Sequence, residues 1–214
     1  VTAVGAQVTY LVREVFYSIQ GEGTRTGIPH VFVRFARCNL RCNVEEHGFD
    51  CDTDFAAALS THFGAWDLLA HVRALAEPPG WTLFTGGEPA LQLDQALVDT
   101  FHGAGYSLAI ETNGTVPLPR HLDWVCVSPK PGAPVVVTVA DEVKHVLRAG
   151  QEPPPTDAFP KLRGRDGGPP AQLVSPAFTG ADPDPEAMQW CVDWVLAHPA
   201  CRLSIQAHKF LRIR

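Results

Sequence analysis

The chain has 214 residues, 45% of them apolar and 19% charged, which suits one globular domain over residues 1–214 whose core needs no disulfide staples. Its 17 basic and 23 acidic side chains leave a net charge of −6, so composition points to neither a nucleic-acid nor an anionic-membrane partner. No apolar run approaches the ~18 residues that span a bilayer, residues 1–7 carry no signal-peptide pattern, and free thiols persist in reducing compartments, so a cytoplasmic protein is expected.

Residues 10–19, rich in aromatic and β-branched types, read as a strand that stops at Gln20-Gly21-Glu22-Gly23. A second strand, 30–35, delivers the chain to Cys38-Asn-Leu-Arg-Cys42 and then Cys51. Leu68, Leu69, Val72 and Leu75 repeat with helical spacing over 67–76. A short apolar strand, 81–85, ends in Gly86-Gly87-Glu88-Pro89, and a helix follows over 93–104 with Asp94 near its start. Strands at 107–110, 124–127 and 142–147 come next. The first leads into Glu111-Thr112-Asn113-Gly114 and the second into Ser128-Pro129-Lys130. Prolines and glycines make 151–170 an irregular surface excursion. A helix over 185–198 and a last strand over 202–210 complete the chain.

Strands alternating with helices imply an α/β fold with parallel strands. The chain is too short for a closed eight-stranded barrel, which takes ~250 residues, so a shortened, partly open (β/α) barrel is expected. Ligand sites in such folds form where strands end, so the polar motifs there are expected to converge. Any one of them alone reads as a turn or a solvated charge.

Three of the six cysteines fall within fourteen consecutive positions. Soft sulfur ligands suit iron–sulfur clusters and zinc, and three ligands leave one metal position open. His47, between Cys42 and Cys51, offers a fourth ligand for a non-enzymatic Cys3His zinc module. Cys126, Cys191 and Cys201 are scattered and read as small buried apolar residues.

SIQGEG at 18–23, VRFARCNLRC at 33–42, CDTDF at 51–55, TGGEP at 85–89, ETNG at 111–114, SPK at 128–130 and QAHKFLRIR at 206–214 carry a resemblance. With them the chain resembles the radical S-adenosylmethionine enzymes and, more narrowly, the 7-carboxy-7-deazaguanine synthase family. The resemblance implies conversion of 6-carboxy-5,6,7,8-tetrahydropterin to 7-carboxy-7-deazaguanine with loss of ammonia, on the route to queuosine. It also implies a 4Fe–4S cluster, S-adenosylmethionine that is regenerated in each cycle, Mg2+, an electron donor such as flavodoxin or ferredoxin, and a homodimer. A glycyl-radical activase is the alternative within the superfamily.

Residue by residue, the resemblance gives Cys38, Cys42 and Cys51 to the cluster and Thr53 to the magnesium ion. Asp50, Asp52, Gly87, Ser128, Pro129 and Lys130 would contact S-adenosylmethionine, as would Ser175, Pro176, Ala177 and Phe178. Ile19, Gln20, Gly21 and Thr85 would frame the pterin, and Arg34 would grip its carboxylate. Glu111 would handle protons or substrate, and the carboxylate of Arg214 would meet the pterin's amino and ring nitrogens. The chain departs from the family in the eight-residue gap 43–50, in Ser175-Pro176 where Gln-Pro is usual, and in Arg214 where proline is common.

Overall fold

A computed structural model describes residues 8–47, 51, 55–179 and 182–214. Nine strands form one sheet: β1 (Tyr10–Ile19), β2 (Pro29–Phe35), β3 (Thr61–Phe63), β4 (Trp81–Gly86), β5 (Ser107–Thr112), β6 (Trp124–Val127), β7 (Glu142–Leu147), β8 (Ala171–Pro176) and β11 (Cys201–Leu203). A separate two-residue ribbon pairs β9 (Phe178–Thr179) with β10 (Asp182–Pro183). The helices are α1 (Val44–His47), α2 (Ala65–Leu75), α3 (Gln95–Gly103), α4 (Pro185–Ala197) and α5 (Ala207–Leu211). Sheet order is β11-β8-β7-β6-β5-β4-β2-β1-β3. All pairs from β11 to β2 are parallel, and only β1 and β3 run against their neighbours. The expected α/β fold of mostly parallel strands is thus present, open rather than closed, and β11 and β3 are the two edges of the sheet.

Alternation along the strands sorts the side chains onto two faces. Val31, Val33, Phe35, Phe84, Leu108 and Ile110 face outward and pack with Leu68, Leu69 and Val72 of α2 and Leu97, Val98 and Phe101 of α3. Full burial of such a side chain contributes about 1.5–3 kcal/mol. The other face carries a smaller cluster of Phe16, Phe32, Leu83 and Ala109, flanked by Trp81 and Trp124. Phe16 and Phe32 stack there at 4.9 Å. The Arg25 guanidinium lies 3.5 Å from the Trp81 ring centroid and closes that end of the inner face.

Local chemistry fixes the helix starts. Asp94 caps α3 by accepting from Leu97 N (2.9 Å) and also accepts from Tyr10 OH (2.8 Å), tying the helix to β1. Asp184 caps α4, with Pro185 in the first turn.

Four expectations need correcting. Alternation of strands and helices fails between β5 and β6 and between β6 and β7, where residues 113–123 and 128–141 form no α-helix. Pro117, Pro119, Pro129, Pro131 and Pro134 remove the donors that a helix would need there. The final strand ends at Leu203 rather than Phe210, and 207–211 is helical. Its partner β8 pairs only from Gln172 to Val174, while Ala207, Lys209 and Leu211 favour a helix. The excursion 151–170 is irregular but packed, since Leu162 joins the core and Arg165 donates to Asp141 at 2.7 Å.

The fourth correction bears on the site. Because β1 is antiparallel, Ile19 sits opposite Pro29, where the parallel strands begin. The SIQGEG segment therefore starts at the other edge from the remaining motifs and converges with them by a different route. Residues 20–28 fold back over the inner face, where they meet β5, β7 and the segment after β11.

Candidate active site

The register of the strands builds one polar row. Arg34 pairs with Glu14 on one side and Thr85 on the other, and Glu111 pairs with Cys126, which pairs with Glu142. These positions share parity with Phe16, Phe32, Leu83 and Ala109, so the row stands on the inner face directly above the aromatic layer. Arg34 Nε donates to Glu14 Oε1 at 2.8 Å, and Arg214 Nη2 donates to the other oxygen of the same carboxylate at 2.5 Å.

The returning loop stitches this row to the sheet's far side. Gln20 Nε2 donates to Glu111 Oε1 (2.9 Å) and Thr85 Oγ1 donates to Glu111 Oε2 (3.3 Å). Glu22 is ion-paired to Lys144 and accepts from Gln206 Nε2 at 2.9 Å. Gly23 N donates to Ser204 Oγ, and Thr24 donates to Glu142 through both its amide (2.8 Å) and its hydroxyl (2.7 Å). Ala207 N donates to Gly21 O at 2.8 Å, and a side chain on Gly21 would strike the His208 ring. Burial works against the Lys144 ammonium, but Glu22 and Glu111 outweigh it and hold its pKa well above the ordinary lysine value.

The cysteine loop is bracketed from two sides. Glu88 is fully buried and accepts from Ala90 N (2.9 Å), Thr112 Oγ1 (2.7 Å) and Asn113 N (2.7 Å), while its own N donates to Arg37 O (2.9 Å). Burial raises its carboxyl pKa against the pull of those donors. Asn113 reaches Asn39 between the first two cysteines at 3.1 Å, and Asn39 donates to Thr115 Oγ1 at 2.7 Å. The double glycine allows the approach: a Cβ on Gly87 would lie 2.1 Å from Arg37 O, and one on Gly86, at φ +132, 2.2 Å from Phe35 O.

Two adjoining cavities result. The first is lined by Cys38, Cys42 and Cys51 together with Gly87, Lys130 and Ser175. The second lies over Phe16 and Phe32 and is lined by Arg34, Gln20 and Arg214. Glu22, Thr85, Glu111 and Gln206 line both, so these four side chains form a shared wall.

The first cavity suits a cluster through its donors: three thiols open onto one space, a set that leaves one iron free. Among the described residues, however, no group of three His, Cys, Asp or Glu side chains is already gathered around one metal point. Burial raises the pKa of the Cys38 and Cys42 thiols, so a bound metal must displace their protons. Lys130 donates to Ser128 Oγ at 2.7 Å, and burial lowers its pKa while the Cys42 thiol opposes that shift.

Of the residues assigned to S-adenosylmethionine, Gly87, Ser128, Lys130, Ser175, Pro176 and Phe178 line this cavity. Pro129 and Ala177 are buried and are not among its lining residues. Asp50, Asp52 and Thr53 lie outside the described residues. All the proposed pterin neighbours (Ile19, Gln20, Gly21, Arg34, Thr85 and Arg214) line the second cavity, as does Glu111. The oxygen of Arg214 accepts from Ser18 Oγ, and its guanidinium lies 5.2 Å from the Phe16 ring. His47, the fourth ligand of the zinc alternative, lines neither cavity, and its Nδ1 accepts from Asn43 N at 3.2 Å.

Sequence reading missed Glu14 and Lys144, and it gave no role to Glu22, Glu88, Gln206 and His208 although it placed them in motifs. Lys144 left a signal, since Glu142 and Lys144 place two charges on one face of a short strand that also holds Val143, Val146 and Leu147. Gln206 and His208 belong to a recognised motif, but placing them on a strand concealed how they reach the loop at 20–24.

No protein-family model matches the chain. It is 42% identical to 7-carboxy-7-deazaguanine synthase of Burkholderia multivorans over 96% of its length and 100% of that protein. It is 40% identical to the enzymes of that name from Nitratidesulfovibrio vulgaris and Bacteroides thetaiotaomicron, over 96% and 95% of this chain and 100% and 98% of theirs. The crystal structure of QueE from Escherichia coli superposes with a TM-score of 0.73 at 26% identity, covering 94% of this chain and 95% of that one. Identity this high over nearly the whole length leaves no room for the zinc module or the glycyl-radical activase, and the chain belongs to the 7-carboxy-7-deazaguanine synthase family of radical S-adenosylmethionine enzymes.

Proposed function

We propose that this chain converts 6-carboxy-5,6,7,8-tetrahydropterin to 7-carboxy-7-deazaguanine and ammonia, supplying a 7-deazapurine pathway such as that to queuosine. The observation that carries the reading is the shared wall: a thiol-lined cavity and an arginine-lined cavity meet at Glu22, Thr85, Glu111 and Gln206. A radical source held on the thiol side would stand beside a carboxylated substrate held on the other.

Cys38, Cys42 and Cys51 would hold the 4Fe–4S cluster, with Gly87, Ser128, Lys130 and Ser175 around S-adenosylmethionine. When bound, the reduced cluster and S-adenosylmethionine together supply the hydrogen abstraction that starts the reaction. Arg34 keeps Nη donors beyond its Nε bond to Glu14, and these suit a substrate carboxylate. Phe16 and Phe32 offer an apolar floor for a flat ring, and Glu111, fixed by Gln20 and Thr85, is positioned to take or return a proton. The aromatic layer and Arg25 keep water from entering beneath the substrate.

Thr53 would ligate a Mg2+ that also meets the substrate carboxylate, a hard cation with oxygen ligands. A flavodoxin or ferredoxin would deliver the electron, two copies of the chain would pair, and a reducing cytoplasm would preserve the six free thiols. Among the described residues no helix is long and apolar enough to cross a membrane.

The test is anaerobic turnover of carboxy-tetrahydropterin by the reconstituted protein. An ultraviolet spectrum of a deazapurine together with released ammonia is expected. Cleavage of S-adenosylmethionine without either product would overturn the reading. Magnesium is tested in the same assay, since turnover indifferent to its omission removes it from the site.

A further inference from the structure

Expulsion of ammonia asks for something that radical chemistry does not provide. As the C–N bond breaks, its electron pair goes to nitrogen, which must gain a proton to leave as a neutral molecule. The atoms balance without an outside reagent, because a ring carbon gives up a proton as the five-membered ring becomes aromatic. The site needs a group that lends a proton at nitrogen and recovers one from carbon.

That group is to be sought where the two cavities meet, because the substrate's reacting carbon has to face the radical source there. Four side chains form the shared wall. The Thr85 hydroxyl is bonded to Glu111, and Gln206 carries only an amide. Arg34 and Arg214 cannot release a proton. Glu22 differs from the rest of the wall in being joined to an ammonium: Lys144 contacts Glu22 Oε2 while Gln206 holds Oε1. Their side chains are 15% and 7% exposed, and a pair buried to that degree gains little for stability against its desolvation cost. Glu22 N also donates to Gln20 Oε1 at 3.0 Å, and Gln20 donates to Glu111, so Gln20 fixes the position of both carboxylates of the wall.

We infer that Glu22 and Lys144 act as a proton-delivery couple for the departing nitrogen, with Glu22 facing the substrate and Lys144 replenishing its proton. The inference rests on the proposed function. Glu22 hands its proton to the nitrogen as the C–N bond breaks. That proton comes from Lys144 by way of the Glu22 carboxylate, Glu111 takes the proton lost from the ring carbon, and water reprotonates Lys144 and deprotonates Glu111 between turnovers.

The experiment uses the reconstituted full chain and a substrate deuterated at the carbon bearing the carboxylate. Deuterium appearing in S-adenosylmethionine reports hydrogen abstraction, and ammonia reports elimination. Lys144→Arg keeps the charge but cannot yield a proton, and Glu22→Gln keeps the shape but cannot relay one. In both, deuterium transfer should persist while ammonia release falls about a hundredfold or more. Ammonia release at the unaltered rate in Lys144→Arg would reduce the couple to a charge pair and overturn the inference. A parallel loss of both signals in both variants would overturn it too, because the pair would then be holding the site together. If the unaltered chain shows neither signal, the proposed function fails and the couple with it.

Discussion

Asn113 donates its side-chain amide to Asn39 Oδ1 at 3.1 Å, fastening the turn after β5 to the loop between Cys38 and Cys42. Asn39 passes the restraint on to Thr115 Oγ1. Asn39→Ala removes both bonds and should lower stability by about 1–2 kcal/mol. Because the bonds hold a ligand loop, iron content after reconstitution should fall with it. Full iron content in this variant would show that the loop is held by Glu88 alone.

Gly87→Ala should be more damaging. The added Cβ would lie 2.1 Å from Arg37 O and 2.9 Å from Cys38 Cβ, both on the cysteine loop. Relief requires the loop to move, so iron binding should drop well below that of the unaltered protein while the far-UV circular dichroism stays similar. Unchanged iron content would mean that the loop has room to shift.

Single replacements of Cys38, Cys42 or Cys51 by alanine should each abolish the brown iron–sulfur absorbance and all turnover. Replacing Cys126 should leave the absorbance, since that thiol is buried among the strands. His47→Ala should also retain it. Loss of metal in the His47 variant would reopen the question of a fourth ligand.

Arg34→Lys keeps the charge but loses the planar fork, and an ammonium cannot serve Glu14 and a substrate carboxylate with the same geometry. A loss of about 1–3 kcal/mol, roughly five- to 150-fold, is expected in kcat/KM, mainly through KM. Unaltered KM would remove Arg34 from substrate recognition.

Acid should destabilise the fold through two histidines. Burial, aided by Arg25, lowers His30 from 6.5 to about 4, and burial, aided by Lys130, lowers His145 to about 4. Between those values the unfolded chain binds protons that the folded chain refuses. The contribution is therefore fully present above 6.5 and is lost as pH falls toward 4. Urea midpoints measured across that interval should decline, and His30→Gln should flatten the decline. An identical slope in that variant would exclude His30 as a source.

Much of the architecture was legible because the strands are short, apolar and punctuated. β1, β6 and β7 begin and end where aromatic and β-branched runs meet turn residues. The thiol cavity was equally legible, since Gly86, Gly87 and the ETNG turn sit in sequence next to the strands that carry them. Two features were not. The direction of β1 depends on its partner, and nothing within residues 10–19 distinguishes a parallel from an antiparallel neighbour. The end of β11 depends on how far β8 runs before Pro176, so Phe210 and Leu211 read as strand residues when seen alone. Lys144 and Glu22 were hidden for a related reason, because each acquires its meaning only from a residue 122 positions away.

The open sheet has one further consequence, for how the molecule is made. Glu22 and Gln206 are separated by 184 positions, and their bond closes the gap between the first and last strands. Contacts of such long range form late, after the loop-closure entropy of the intervening chain has been met. A chain emerging from the ribosome can complete its outer hydrophobic layer long before it has a substrate pocket. Any molecule that occupies the pocket must then act as a clasp between the segments that follow the first and last strands, raising the unfolding temperature further as its concentration climbs above its dissociation constant.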